Sequence, residues 1–267
     1  MLFELFLAQI TGAAPAPAPP PLHAESAACP ADMRLVEGTH YEYVQRLCLS
    51  YRADHCFAFL PGLIAREPRE TKVHVCMDTY EWPNQAGVNP AVMDRFVDAE
   101  AKCASQNKRL CSEFEWEMAC EGPDTLPWPY GYQHDQKACN TDKPYMHVNE
   151  AKLASEDRRV REAEARRVWQ GEPSGSSSRC MSSYGVMDLI GNVEEWVTTS
   201  RPEWPYRSSL KGGYWAKPWA GCRGTNESHG PQFRFYEVGF RCCKDPLSPS
   251  GEEVLSLTPR GGDRGGA

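Results

Sequence analysis

The sequence has little of what a nucleic-acid binder needs. Its 29 basic residues are outnumbered by 36 acidic ones, giving a formal charge of -7, and no basic block is dense enough to neutralise a run of phosphates. Long apolar stretches are scarce as well. The run within residues 2–16, LFELFLAQITGAAPA, is too short and too polar for a membrane span, being interrupted by Glu4 and Gln9. There is no C-x-x-C pair and no Cys/His quartet at zinc spacing, and His55, His74, His134 and His147 form no recognisable metal spacing either. These absences speak against nucleic acid as a partner, against a membrane-spanning helix and against a zinc centre.

What the sequence has in excess is cysteine. Twelve are present, an even number, and thiols at this density persist as disulfides only in an oxidising compartment. A periplasmic, cell-envelope or secreted setting follows. The leader agrees in part: its apolar run ends in an A-P-A-like site, although no positive charges precede it. Ser26-Ala-Ala-Cys29 has the outline of a lipoprotein box, but no apolar run adjoins it, so Cys29 reads as a half-cystine.

The chain divides into three. Residues 1–28 comprise the signal-like leader and a proline-rich linker, APAPAPPP, which favours an extended spacer. Residues 29–244 form one domain, and residues 245–267, rich in Gly, Pro and Ser, form a disordered tail. Within the domain, Asn89-Pro90 supplies a cap and first-turn proline for a helix reaching about Ser105, with Phe96, Val97, Ala101 and Cys103 or Ala104 at helical spacing. Ser112-Glu-Phe-Glu115 is a capping box for a second helix, which stops at Gly122-Pro123. Residues 150–169 carry acids and bases spaced to pair on an exposed helix face, and 171–178, GEPSGSSS, reads as a flexible loop. The remainder is short apolar and aromatic segments of strand and loop type.

Three segments in fixed order carry a resemblance: KRLCSEFEWEMACEG at 108–122, GVMDLIGNVEEWV at 185–197, and LKGGYW at 210–215 closed by VGFRCC at 238–243. Together they resemble the formylglycine-generating enzyme, or sulfatase-modifying factor, family. The resemblance implies an irregular α+β fold related to C-type lectin-like domains, disulfide-rich and low in regular secondary structure, with structural calcium. Side chains at Asp188 and Glu195 and carbonyls at Gly191 and Val193 match one calcium site of the family, a set of hard oxygen donors around a glycine turn. Asn140 and Thr141 match the start of a second site, whose expected acidic loop is replaced here by residues 150–178.

Family oxidases bind Cu(I) through two cysteines five residues apart just after a KGGS motif. Soft thiolates select that ion, but here the first position is Lys217, the motif serine is Tyr214, and only Cys222 remains as a catalytic candidate. Copper is therefore not expected. The iron-binding H-x-x-x-H-x-E motif of related sulfoxide synthases is absent too. The resemblance pairs Cys103 with Cys242 and leaves Cys120 as partner for Cys222, with Cys111 and Cys243 as an extra pair. The other six cysteines are of open connectivity. The competing reading of Cys222 is a free thiol made reactive by Lys217 or His229.

Trp196, Trp215 and Trp219 suit packing around a cleft, or a recognition groove. The expectation for function is an exported, calcium-braced domain that binds a peptide, protein or small ligand in the family groove. The alternative is a copper-dependent oxidase converting a cysteine of a sulfatase-like substrate to formylglycine.

Overall fold

Alternating side chains mark one of the two longest strands: Val73, Val75 and Met77 fall on one face and are buried, while His74 between them is exposed. The computed structural model describes residues 28–52, 55–63, 65–199, 201, 203–217 and 221–247. The leader and its linker up to residue 27, residues 248–267 of the tail, and Trp219 lie outside these residues. In chain order the elements are β1 (Met33–Tyr41), β2 (Val44–Gln45), β3 (Cys48–Arg52), β4 (His55–Phe59), β5 (Ala65–Arg66), β6 (Glu70–Asp78), α1 (Phe96–Ser105), β7 (Arg109–Leu110), α2 (Glu113–Glu121), α3 (Glu150–Leu153), α4 (Arg158–Val168), β8 (Glu194–Thr198), β9 (Ser208–Lys211), β10 (Thr225–Asn226), β11 (Val238–Phe240) and β12 (Cys242–Lys244). The class is α+β, with irregular connections between short elements.

Two four-stranded sheets dominate, in the orders β1-β6-β12-β7 and β10-β9-β8-β11, and two ribbons pair β2 with β5 and β3 with β4. All pairs are antiparallel except β11 beside β8, with Phe240 opposite Trp196. The chain passes from the second sheet to the first across one residue, Arg241, which is fully buried. Strand geometry then sends the next two side chains to opposite faces. Cys242 bonds Cys103 on α1, and Cys243 bonds Cys111 beyond β7.

The capping box of α2 forms as the sequence predicts: Glu115 N donates to Ser112 Oγ, Ser112 N donates to the Glu115 carboxylate, and Gly122 ends the helix. The start of α1 differs from expectation. Residues 89–95 are not helical, because Ala91 N donates to Trp82 O, Met93 N donates to Phe235 O, and Met93 takes a left-handed φ of 68°. Arg95 and Asp98 provide the cap instead, five residues past Pro90. The 150–169 stretch is broken at residues 154–157, where Asp157 starts a new helix. One acid of its charged face is buried: Glu164 accepts from Asn149 N and Arg167.

Three buried clusters result. One surrounds Trp116 and Trp128; a second lies between α1 and the second sheet, with Phe96, Trp196, Leu210 and Phe240; a third joins Leu153 and Val168 to Trp215 and Tyr236. Trp196 and Trp215 are thus core residues. All twelve cysteines are paired, adding Cys29–Cys76, Cys48–Cys56, Cys120–Cys222 and Cys139–Cys180 to the two bridges above. Six disulfides are at home in an oxidising compartment. No helix among the described residues is long and apolar enough to cross a membrane.

Candidate functional site

The segment from Cys180 to Val193 winds through left-handed backbone at Asp188, Gly191 and Asn192, with φ of 59°, 74° and 50°. That turn carries Asp188, Gly191 and Val193 of the expected calcium residues and leads into Glu195 on β8. A Cβ on Gly191 would fall 2.3 Å from Asn140 O and 2.6 Å from Thr141 Cγ2, so the loops carrying the two expected sites pack directly on each other. Asn192 N donates to Asn140 O, and Asn140 Nδ2 donates to Asn192 Oδ1 and Gln170 O. Asn140 Oδ1 is buried with no partner among the described residues.

Around this turn lie three buried carboxylates. Glu195 is gripped by Arg241, with Nη2 2.6 Å from Oε1 and Nε 2.7 Å from Oε2, and Trp116 Nε1 donates to Oε2 at 2.8 Å. Asp188 accepts from Gly175 N; burial pushes its carboxyl up to about 6, against that hydrogen bond and the charge of Arg241. Glu81 accepts from Ser174 Oγ and Asn192 Nδ2. Burial raises it well above the carboxylate range, and the charges of Asp188 and Glu195 raise it further. The 171–178 segment expected to be flexible is therefore built into the site: Ser174 is 1% exposed and also exchanges backbone hydrogen bonds with Val88 and Gly87.

One guanidinium facing three carboxylates leaves negative charge in a dry environment, and an unpaired amide oxygen sits alongside. All these donors are oxygen. By charge and donor type they fit a hard dication better than a soft one. Among the described residues no group of three or more His, Cys, Asp or Glu side chains stands at metal-holding distances, so carbonyl and amide oxygens would have to complete a coordination shell.

The positions expected at the catalytic centre are arranged differently. Cys222 is fully buried and bonded to Cys120. Lys217 Nζ pairs with Glu194 Oε1 at 2.7 Å and lies 5.4 Å from the centroid of the Tyr214 ring. A disulfide and an ammonium do not make a soft-metal site, so the residues present do not fit Cu(I). Both substituted positions instead line a cavity of about 400 Å³ together with Glu150, Asn226, His229, Phe233, Phe235 and Glu237.

His229 stacks on Phe233 with centroids 3.7 Å apart and planes 7° from parallel, and Phe233 stacks on Phe235 at 5.7 Å. Burial lowers the His229 pKa, which Glu194 partly offsets. Glu237 is 8% exposed and its Oε2 has no hydrogen-bond partner among the described residues. Burial, reinforced by the charge of Glu194, pushes its carboxyl up to about 8. Neither Glu81 nor Glu237 was legible as a site residue: each is a single acid beside aromatic neighbours, with no spacing to mark it. Arg241 stood inside VGFRCC, but its partner on β8 is visible only in the fold.

The family model described as sulfatase-modifying factor enzyme 1-like domain matches residues 33–246. "Inactive C-alpha-formylglycine-generating enzyme 2" of Bos taurus is 26% identical over 178 residues, covering 61% of this chain and 52% of that protein. The protein of the same name from Mus musculus is 26% identical over 170 residues, covering 60% of this chain and 50% of its own. The chain thus spans about half the length of the curated relatives it matches. Among solved structures, that of CarF aligns with a TM-score of 0.51 at 14% identity, covering 82% of this chain and 99% of CarF. That similarity is one of fold.

Proposed function

Because this chain belongs to the sulfatase-modifying factor enzyme 1-like family, we propose that it is a binding module built on that fold, having lost the copper dithiolate. The observation that carries the reading is the fate of the two catalytic positions. One is Lys217, paired to Glu194, and the other is Cys222, closed in a disulfide with Cys120. The word "inactive" in the names of the two mammalian relatives supports it. The module works outside the cytoplasm, in the periplasm, in the cell envelope or as a secreted protein, and takes a peptide, protein or small ligand in the cavity beside Tyr214 and Lys217.

Calcium braces the scaffold in this reading. Asp188 and Glu195 side chains, with Gly191 and Val193 carbonyls, would hold one ion, and Asn140 with Thr141 would begin a second site. The ion would supply charge neutralisation to buried carboxylates and rigidity to the turn, and no reaction step. Glu81 and Arg241 orient that turn through Asn192 and Glu195.

The test is Cu(I) titration of the purified protein against a competing chelator, paired with non-reducing peptide mapping after thiol alkylation. No bound copper and a crosslinked Cys120–Cys222 peptide are expected. Stoichiometric Cu(I) with an alkylated Cys222 would overturn the reading in favour of the oxidase.

A further inference from the structure

The cavity beside Tyr214 holds an imbalance that its own residues do not correct. Among the described residues that line it are three acids, Glu150, Glu194 and Glu237, and one lysine, Lys217. That lysine is engaged by Glu194. Glu237 is a buried carboxyl whose Oε2 has no hydrogen-bond partner among the described residues, and a buried acceptor gains from a donor brought to it. The same cavity is walled by His229 stacked on Phe233, with Phe235 stacked beyond it at 5.7 Å and 23° from parallel. Ring faces carry partial negative charge, so they attract a cation and also accept its alkyl portion.

An anionic ligand would meet Glu237 and Glu150 directly. A neutral apolar ligand would leave the Glu237 oxygen unpaired, which costs affinity through a desolvated polar group. A donor on an apolar stem serves both walls, and a cationic donor also offsets the acids that line the cavity. We infer that this cavity recognises an alkylammonium group, with Glu237 as its counter-charge and the Phe233 and Phe235 rings as the surface for its stem. The inference rests on the reading of this groove as a ligand site and narrows the ligand's chemistry. Lys217 then acts as a specificity-setting residue: its ammonium occupies Glu194 and so confines the cationic subsite to Glu237.

The test uses the full chain, isotopically labelled, at saturating calcium, with three probes of one size: n-butylammonium, n-butanol and butyrate. Amide shifts at Lys217, Asn226 and His229 report occupancy of the cavity. The ammonium is expected to bind, Glu237→Gln to weaken it by about tenfold or more, and Lys217→Met to strengthen it several-fold by freeing Glu194. The second variant matters because damage to folding does not raise affinity. If butanol or butyrate binds there as well as the ammonium does, the ligand class is wrong while the groove stands as a binding site. If no probe perturbs these amides, both readings fail. Unchanged ammonium affinity in a folded Glu237→Gln protein would also overturn the inference.

Discussion

Lys217 Nζ lies 2.7 Å from Glu194 Oε1, on the wall of the cavity where the family's first copper thiolate would stand. The same ammonium also approaches the ring of Tyr214, the residue that replaces the motif serine. The two departures from the family pattern are therefore one structural unit. A side chain that brings charge into the groove is held by an acid of β8 and a neighbouring ring, while Glu237 Oε2 has no hydrogen-bond partner among the described residues.

Breaking the Cys120–Cys222 bridge should destabilise the fold without altering metal chemistry. The bridge joins residues 102 apart in sequence, and closing a loop of about 100 residues is worth up to about 4–5 kcal/mol in the chain-entropy treatment. Replacing both cysteines by alanine is expected to lower the unfolding free energy by about 2–5 kcal/mol in a urea titration. A loss well under about 1 kcal/mol would mean that the unfolded chain is already constrained there.

Two glycines with the same backbone angle should behave differently. Gly87 and Gly191 both have φ of 74°, but a Cβ on Gly87 meets nothing within 4 Å, whereas one on Gly191 strikes backbone at 2.3 Å. Gly87→Ala is expected to cost about 1 kcal/mol for the left-handed conformation alone. Gly191→Ala must also push the Asn140 loop aside, and its thermal midpoint should fall several times further. Equal shifts in the two would refute the packing described at that turn.

Acid should weaken the fold through Glu117. Burial alone would raise its carboxyl, but Lys211, His40 and Arg223 outweigh that and hold it far below the ordinary value of 4.5. A depressed folded pKa stabilises the protein fully above the unfolded value, and that contribution is lost as pH falls through the region below about 4.5. Glu117→Gln should therefore give a shallower acid limb in unfolding free energy against pH. At neutral pH it should cost about 3 kcal/mol, because the buried Lys211 loses its partner.

Calcium should stabilise the protein by mass action if it braces the turn. At a free concentration of about a hundred times its dissociation constant the gain is about 2.7 kcal/mol. Chelation is thus expected to lower the thermal midpoint of the wild type and to have little effect on Asp188→Asn. An unchanged midpoint on adding and removing calcium would remove the ion from the account.

The sequence by itself determined the elements whose signals are local. The capping box at Ser112 and the stop at Gly122 depend on backbone groups within a few residues, and they appear where the residues say. Cys242 and Cys243 must face opposite ways on any strand, so their partners had to differ. The ordered motifs carried the family. Tertiary structure decided the rest, because it pairs groups that no local rule connects. The start of α1 moved to Phe96 because Phe235, far along the chain, takes the amide of Met93. Segment 171–178, polar and glycine-containing, is ordered by Glu81 and Asp188. Glu237 became a buried acid, one of its oxygens without a donor among the described residues, only when the loop after β10 and the strand β8 closed around it, since burial and partnership belong to the fold and not to the residue.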